Sequence, residues 1–492
     1  MEFSLPAYLN KFVATSTHHM RNCFTLLLLI GSLTATAQFK VTLTAPQYAS
    51  GTAYLTYHWG KSLNIADSAE VNANGVAVFE GEKSLPGGIY SVVFPGKRLT
   101  ADFFIDQEQT ISITANDTLK LMDMVVTGSP ENDLFKKYQQ YTAEKGGQLQ
   151  RARNSYNASK TKEDSLKHEA TFSQLNKELA DYRNSIATEH PESMLASMLN
   201  AMKEPTIPIR QPLTREDSIA NYNYYKEHYW DGITFMDDRV VRTPFFIPKF
   251  ERYYREVMHQ APDSIIQDVD YKLLLARSAP ELYKFMLNWL TDEYINPKYM
   301  GQDAIFVHLF NKYHSKGLTP WLNEKQMETI TRRAYMQMSN LVGEKAANLN
   351  LVDSTGKLKP LYDVKGDYTI VIFWDPNCGH CKQEVPRIDS IYKASWKQKN
   401  VKLYAVLSDD HKKEWVNFIK KHELNEWTHV YQTKEMEEKE KAQKVAGFRQ
   451  LYDVIQTPTI YLLDKEKRIV GKKLTLEQIN DLLEVKWKND NK

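Results

Sequence analysis

Cysteine is scarce in this chain of 492 residues: it has 3, at positions 23, 378 and 381. A secreted fold stapled by disulfides spreads an even set of cysteines along its length, so that architecture is excluded. An excess of one charge is missing too, since 63 Lys and Arg stand against 61 Asp and Glu, a formal net charge of +2. No long-range field of one sign results, and nucleic-acid binding has no electrostatic footprint. Beyond the N-terminal region no hydrophobic run reaches membrane-spanning length. There is also no second C-x-x-C and no H-E-x-x-H, the patterns that complete common zinc sites.

What is present begins with a targeting pattern. Arg21 precedes the apolar run Cys23 to Leu33, and Thr34-Ala35-Thr36-Ala37-Gln38 follows. The run is short for a bilayer and ends in an A-x-A cleavage pattern, so residues 1–37 are expected to be a secretory signal peptide cut after Ala37. Met20 would begin an ordinary signal peptide, which makes residues 1–19 an upstream extension. An uncleaved anchor is the alternative; a lipoprotein fits less well, because Cys23 stands before the run and not at the cleavage point. The expected location is the periplasm or cell envelope. Removal of the signal leaves Cys378 and Cys381 as the whole cysteine complement. Two residues of separation close almost no loop, so the pair serves chemistry or a metal and not stability.

With 42% hydrophobic and 25% charged residues, the chain can build two or three domains. Residues 38–128 read as short strands, Phe39 to Thr44, Ala53 to His58, Val76 to Glu80, Ile89 to Phe94, Ala101 to Ile105 and Thr110 to Thr114. Asn74-Gly75, Pro86-Gly87-Gly88 and Pro95-Gly96 punctuate them, which predicts a small antiparallel, all-β sandwich. Ser129 as N-cap and Pro130 in a first turn open an all-helical domain over 129–342. It starts with a long helical hairpin, interrupted at Gly146-Gly147 and around Ser159. Over residues 343–492 strands and helices alternate, a β-α-β unit followed by β-β-α, and Tyr368 to Trp374 is an unbroken run suited to a central strand. The expected fold class is multidomain: all-β sandwich, all-α middle, and a C-terminal α/β domain in thioredoxin-like order.

The segment Phe373-Trp374-Asp375-Pro376-Asn377-Cys378-Gly379-His380-Cys381-Lys382-Gln383-Glu384-Val385-Pro386 carries the chemistry. A cysteine at a helix N-terminus has its thiolate stabilised by unpaired N–H groups and the helix dipole, and Cys378 is placed for that. Cys381, one turn later, lies on the same side and can resolve a mixed disulfide formed at Cys378. Zinc is the chemical competitor, with Cys378, His380 and Cys381 as donors, but a fourth ligand has no pattern to supply it. Together with Thr457-Pro458 before a later strand, the segment resembles the thioredoxin-fold proteins, nearest the TlpA-like thiol-disulfide oxidoreductases.

The resemblance implies a catalytic pair, Cys378 and Cys381, with no cofactor beyond their own redox-active disulfide and no metal. It implies a cis proline at Pro458, with Thr457, Pro458 and Trp374 toward the substrate; an ordinary trans turn is the bland alternative. His380 stands where disulfide isomerases have histidine, and a partly protonated imidazole there would favour the dithiol and a stronger oxidant. Glu384 stands where the family often has a glutamate that tunes the resolving cysteine. The alternative for either residue is a solvated position on the helix surface. Asn377 departs from the family's aromatic before the first cysteine, which leaves substrate preference open. The whole layout is similar to that of exported proteins of the Bacteroidetes type. The reading is therefore an exported enzyme that exchanges disulfides with client proteins, drawing on a membrane electron donor if it works as a reductase. The rival is an envelope scaffold whose upstream domains bind a partner while the C-x-x-C is secondary.

Overall fold

The computed structural model describes residues 38–96, 100–117 and 123–490, so the expected signal segment lies outside the described residues. Among the described residues no helix is long and apolar enough to cross a membrane. The chain forms two compact units, one running to Lys203 and taking back Arg242–Phe246, the other holding Glu204–Val241 and everything from Ile247 on.

The first unit opens on β1 Phe39–Thr44, β2 Thr52–Trp59, β3 Ser62–Glu70, β4 Val76–Gly81, β5 Gly88–Val93, β6 Thr100–Ile105, β7 Thr110–Thr114 and β8 Val125–Thr127. Among the described residues these pair into sheets of order β4-β1-β7-β8 and β3-β2-β5-β6. Alternate positions face inward, among them Val41, Leu43, Leu55, Phe79, Val92, Phe103 and Ile113, and both sheets contribute to one core. That is a β-sandwich. It departs from the expected all-antiparallel form at one place: β1 and β7 run parallel, because the chain crosses to the other sheet and back between them. Strand β3 was not expected from the sequence; it is an edge strand, exposed along most of its length, so no apolar alternation marks it.

Helices α1 Pro130–Ala158, α2 Lys162–Glu189 and α3 Met194–Met202 complete this unit. Ser129 caps α1, its side chain accepting from the Asn132 amide. Asn132 in turn bonds the Phe104 main chain of β6 in both directions, 2.8 Å each way. Ile89 and Phe104, on the outer face of their sheet, pack with Tyr138, Ile186, Met194 and Leu195, so the helices cover that face. The Gly146-Gly147 pair does not interrupt α1 as expected; the helix runs through it and ends before Ser159. Glycine weakens a helix by about 1 kcal/mol relative to alanine without stopping it.

The second unit contains α4 Arg215–Glu227, α5 Phe246–Arg252 apart from its first residue, α6 Pro262–Leu275, α7 Pro280–Ile295, α8 Asp303–Lys312 and α9 Glu324–Met338. A short hairpin, β9 Asn350–Val352 with β10 Leu358–Pro360, leads into β11 Tyr368–Trp374, α10 Gly379–Ala394, β12 Val401–Leu407, α11 Lys412–Lys421 and β13 Thr428–Val430. Then come α12 Lys434–Gln443, α13 Phe448–Leu451, β14 Thr459–Asp464, β15 Ile469–Lys472 and α14 Leu476–Asp490. The sheet order is β13-β12-β11-β14-β15, with β11, β12 and β13 parallel and β14 and β15 antiparallel. This is the thioredoxin-like order. Strand β11 is buried at every position: Ile370, Ile372 and Trp374 enter one core, Val371 and Phe373 the other. Covering on both faces explains its unbroken apolar run.

The helical stretch expected as one domain over 129–342 is shared between the units. Helices α1 to α3 bury their apolar stripe on the sandwich, whereas α8 and α9 are tied to the C-terminal sheet by buried charge. Lys472 of β15 donates to the Asp303 carboxylate of α8 and to the carbonyl and side-chain oxygens of Asn340, at 2.9 and 2.8 Å. Asp453, 1% exposed, is held between Arg333 of α9 at 2.5 Å and Lys473 at 2.6 Å. Burial alone would raise its carboxyl, but these two cations hold it below the usual carboxylate range. Lys472→Met strands the Asp303 charge and should cost about 3–5 kcal/mol in urea denaturation, most of it recovered by adding Asp303→Leu.

Candidate active site

Strand β11 ends at Trp374, and Asp375-Pro376-Asn377 turn the chain into α10. The turn is closed by Asp375: its carbonyl accepts from the Cys378 amide at 3.2 Å and its Oδ1 from the Asn377 amide at 2.7 Å. Cys378 is the N-cap of α10, and its sulfur accepts from the Cys381 amide at 3.4 Å. The helix start thus offers its unpaired N–H groups to a sulfur. The peptide bond between Thr457 and Pro458 is cis, and the Cys378 thiol donates to the Thr457 carbonyl at 3.2 Å. The nearness of a residue 79 positions away follows from β14 pairing with β11, whose Phe373 stands opposite Thr459.

Both thiols are free in this structure, and they differ. Cys378 is half-buried. Burial would raise its thiol, but hydrogen bonds from the Cys381 and Thr457 side chains and from the main-chain N–H groups of Cys381 and His380 outweigh that and hold it below its ordinary value. Cys381 is fully buried, and this pushes its thiol up to about 12. The Asp375 main-chain N–H reaches the Cys381 sulfur and only partly opposes the rise. One sulfur is set to attack from the surface while the other keeps its proton inside.

The turn has a second partner. His411, on the loop after β12, places Nδ1 2.9 Å from Asp375 Oδ2. Asp375 is 7% exposed, and the His411 side chain reaches solvent. The hydrogen bond to Asp375, aided by the charges of Asp375, Asp409 and Asp410, raises the His411 imidazole above its usual value. Among the described residues, Asp375, Asp409 and His411 bring one ligand atom each within 4.8 Å of one another. The Asp375–His411 hydrogen bond already engages two of these groups and Asp409 is exposed, so the arrangement is that of an ion pair.

Residues 342–472 match the model of the AhpC/TSA family, and residues 39–135 that of a domain of unknown function, DUF4369. Thiol-disulfide oxidoreductase ResA of Bacillus cereus is 29% identical over 143 residues, 29% of this chain and 75% of the relative. The protein of that name from Bacillus subtilis is 30% identical over 128 residues, 26% of this chain and 64% of the relative. The C-terminal domain is a TlpA-like thiol-disulfide oxidoreductase. The oxidoreductase domain is also similar to a solved domain of a possible thiol-disulfide isomerase from Cytophaga hutchinsonii, at 34% identity over 30% of this chain and 95% of that one, TM-score 0.27. A thioredoxin-like protein from Bacteroides caccae is 21% identical over 57% of this chain and 98% of its own, TM-score 0.43.

Within the oxidoreductase domain the expected site residues do not all meet. Cys378, Cys381, Thr457 and Pro458 come together. His380 is exposed beside them and touches Cys378 through its main-chain N–H. Glu384 is bound to Arg387 at 2.5 Å, and Arg387 to Glu477 at 2.9 Å, so its carboxylate is engaged along the helix surface. Trp374, expected to face substrate, is fully buried and packs edge-on against Phe418 at 5.2 Å. The pleat of β11 aims it into the core with Ile370 and Ile372, so it supports the site from beneath. Asp375 and His411 were not singled out from the sequence. The available signal was topological, since both follow the carboxyl ends of neighbouring parallel strands, where α/β sheets gather their sites. In the reduced native protein, iodoacetamide at neutral pH should label Cys378 and spare Cys381, read by peptide mass spectrometry. The Cys378 alkylation midpoint should lie below the ordinary thiol value of about 8.5.

Proposed function

We propose that the protein is an exported oxidoreductase that exchanges disulfides with client proteins through its C-G-H-C motif. The observation that carries this reading is the inequality of the two sulfurs: a half-buried thiol held low at a helix start, and a buried one pushed up to about 12. The Cys378 thiolate attacks one sulfur of a client disulfide, forming a mixed disulfide and releasing the client's other sulfur as thiolate. Cys381 then gives up its proton and attacks Cys378 Sγ, forming the Cys378-Cys381 disulfide and releasing the second client thiolate. The client gains two electrons and two protons, and the enzyme loses as many. Run in reverse, the same steps oxidise a client dithiol.

Thr457 and Pro458, half-buried beside Cys378, offer main-chain groups to an extended client segment. A Cβ built on Gly379 would meet nothing within 4 Å, which leaves the approach to the sulfur open. His380 raises the potential by favouring the thiolate, and Glu384 is the acid-base neighbour of Cys381 once released from Arg387. Export rests on the Arg21 to Ala37 pattern and places the enzyme in the periplasm or cell envelope. If it works there as a reductase, it takes electrons from a membrane donor.

Equilibration of the purified protein against glutathione, with alkylation as readout, tests the function directly. The expected potential is less reducing than the thioredoxin value of about −270 mV, and His380→Pro should move it toward that value. Cys378→Ser should abolish exchange, and Cys381→Ser should accumulate the mixed disulfide with a client. A pair that never cycles rules the enzyme out.

A further inference from the structure

The exchange steps above leave two residues unused: Asp375, whose main chain touches both cysteines, and His411, which is bonded to the Asp375 side chain. Asp375 touches Cys378 through its carbonyl and Cys381 through its main-chain N–H. Asp375 stands three residues before the attacking residue, and its carboxylate accepts from the amide of Asn377, the residue directly before Cys378. A buried carboxylate in that place opposes a neighbouring thiolate, and a cation bound to it cancels the opposition. His411 is such a partner, and it alone of the two reaches solvent protons.

We propose that Asp375 and His411 are a coupled charge pair that sets the basicity of Cys378, and through it the balance between dithiol and disulfide. The pair acts through the turn it closes; both are positioning residues. With His411 protonated, the carboxylate is neutralised, the thiolate is favoured and the disulfide is the stronger oxidant. With His411 neutral, the carboxylate acts unopposed, the thiolate is disfavoured and the site becomes more reducing. Since Asp375 raises the imidazole above its ordinary value, the changeover lies above about pH 6.5.

The charged groups around the pair do not short-circuit it. Asp409 and Asp410 stand on the same loop and add to the field that keeps His411 protonated. Lys412, at the start of α11, is drawn to the Tyr431 hydroxyl at 2.7 Å, and Lys434 of α12 lies 3.7 Å from Asp410. Arg449 donates to the Ser408 carbonyl. His380 is exposed on the helix beyond the sulfurs.

The inference rests on Cys378 being the attacking thiolate, and its test requires neither client nor turnover. The rate of Cys378 alkylation is followed against pH in the reduced full-length protein and in two variants. His411→Gln should move the midpoint upward and lower the rate at pH 7 about three- to tenfold, while Asp375→Asn should move it downward and raise the rate. The extra inflection from His411 titration should be present in the native protein and absent from His411→Gln. Opposite displacements support the pair as a charge device. Displacements of the same sign, or none, overturn it and reduce the pair to a lock on the turn. Should Asp375→Asn fail to fold, His411→Arg decides: it keeps the cation and should retain native alkylation at pH 7, and loss equal to that of His411→Gln overturns the proposal. A protein that alkylates as expected yet fails to cycle with glutathione refutes the oxidoreductase reading and the control of the dithiol–disulfide balance, and leaves the control of Cys378 basicity standing.

Discussion

Burial of β11 on both faces is the constraint on which the C-terminal unit depends. Seven consecutive residues, Tyr368–Trp374, leave no side for solvent, so helices must cover both faces and the neighbouring strands must be long-range partners. The strand then has one free end, and the chain leaves it through a turn that starts a helix. Thr457, carried by the antiparallel neighbour, and His411, carried past the parallel neighbour, both arrive at that end because of the pairing. The reactive sulfur is therefore positioned by a sheet, while its chemistry comes from a helix start.

Hydrogen-bond donors and burial divide the work between two identical side chains. Cys378 sits where the helix has N–H groups to spare; Cys381, one turn on, sits where the core excludes water. The same residue type thus becomes a nucleophile and a reservoir for a proton, without any change of sequence between them. The turn residue Asp375 contacts both and is the natural place from which one charge can bias the pair.

Legibility followed the range of the interactions concerned. The C-x-x-C, the helix beginning at it, the central strand and the Thr457-Pro458 position are local patterns, and all were readable. The participation of His411 was not, because it depends on which loops a sheet order brings together, and no local pattern near Ser408-Asp409-Asp410 states that. Trp374 was misplaced for the opposite reason: its position beside the motif suggested contact with substrate, while strand pleating decides which face it takes. The parallel pairing of β1 with β7 left no trace in the alternation, since period-two burial is the same in either direction. Over residues 129–342 the sequence announced helices but not the surfaces that would receive them, so their division between two units was beyond the pattern.

The ties from α8 and α9 to the C-terminal sheet have a consequence for where this oxidoreductase begins as a physical object. A boundary drawn at residue 343 by motif and strand order would cut away Asp303, Arg333 and Asn340. Lys472 would keep its buried stem and lose the carboxylate and the two Asn340 oxygens that hold its ammonium group. Asp453, on the segment leading to Thr457, would exchange two cations for one. Charged contacts thus cross the boundary that motif and strand order would draw. A fragment made without α8 and α9 would present the same sulfurs over a sheet whose buried Lys472 and Asp453 had lost partners.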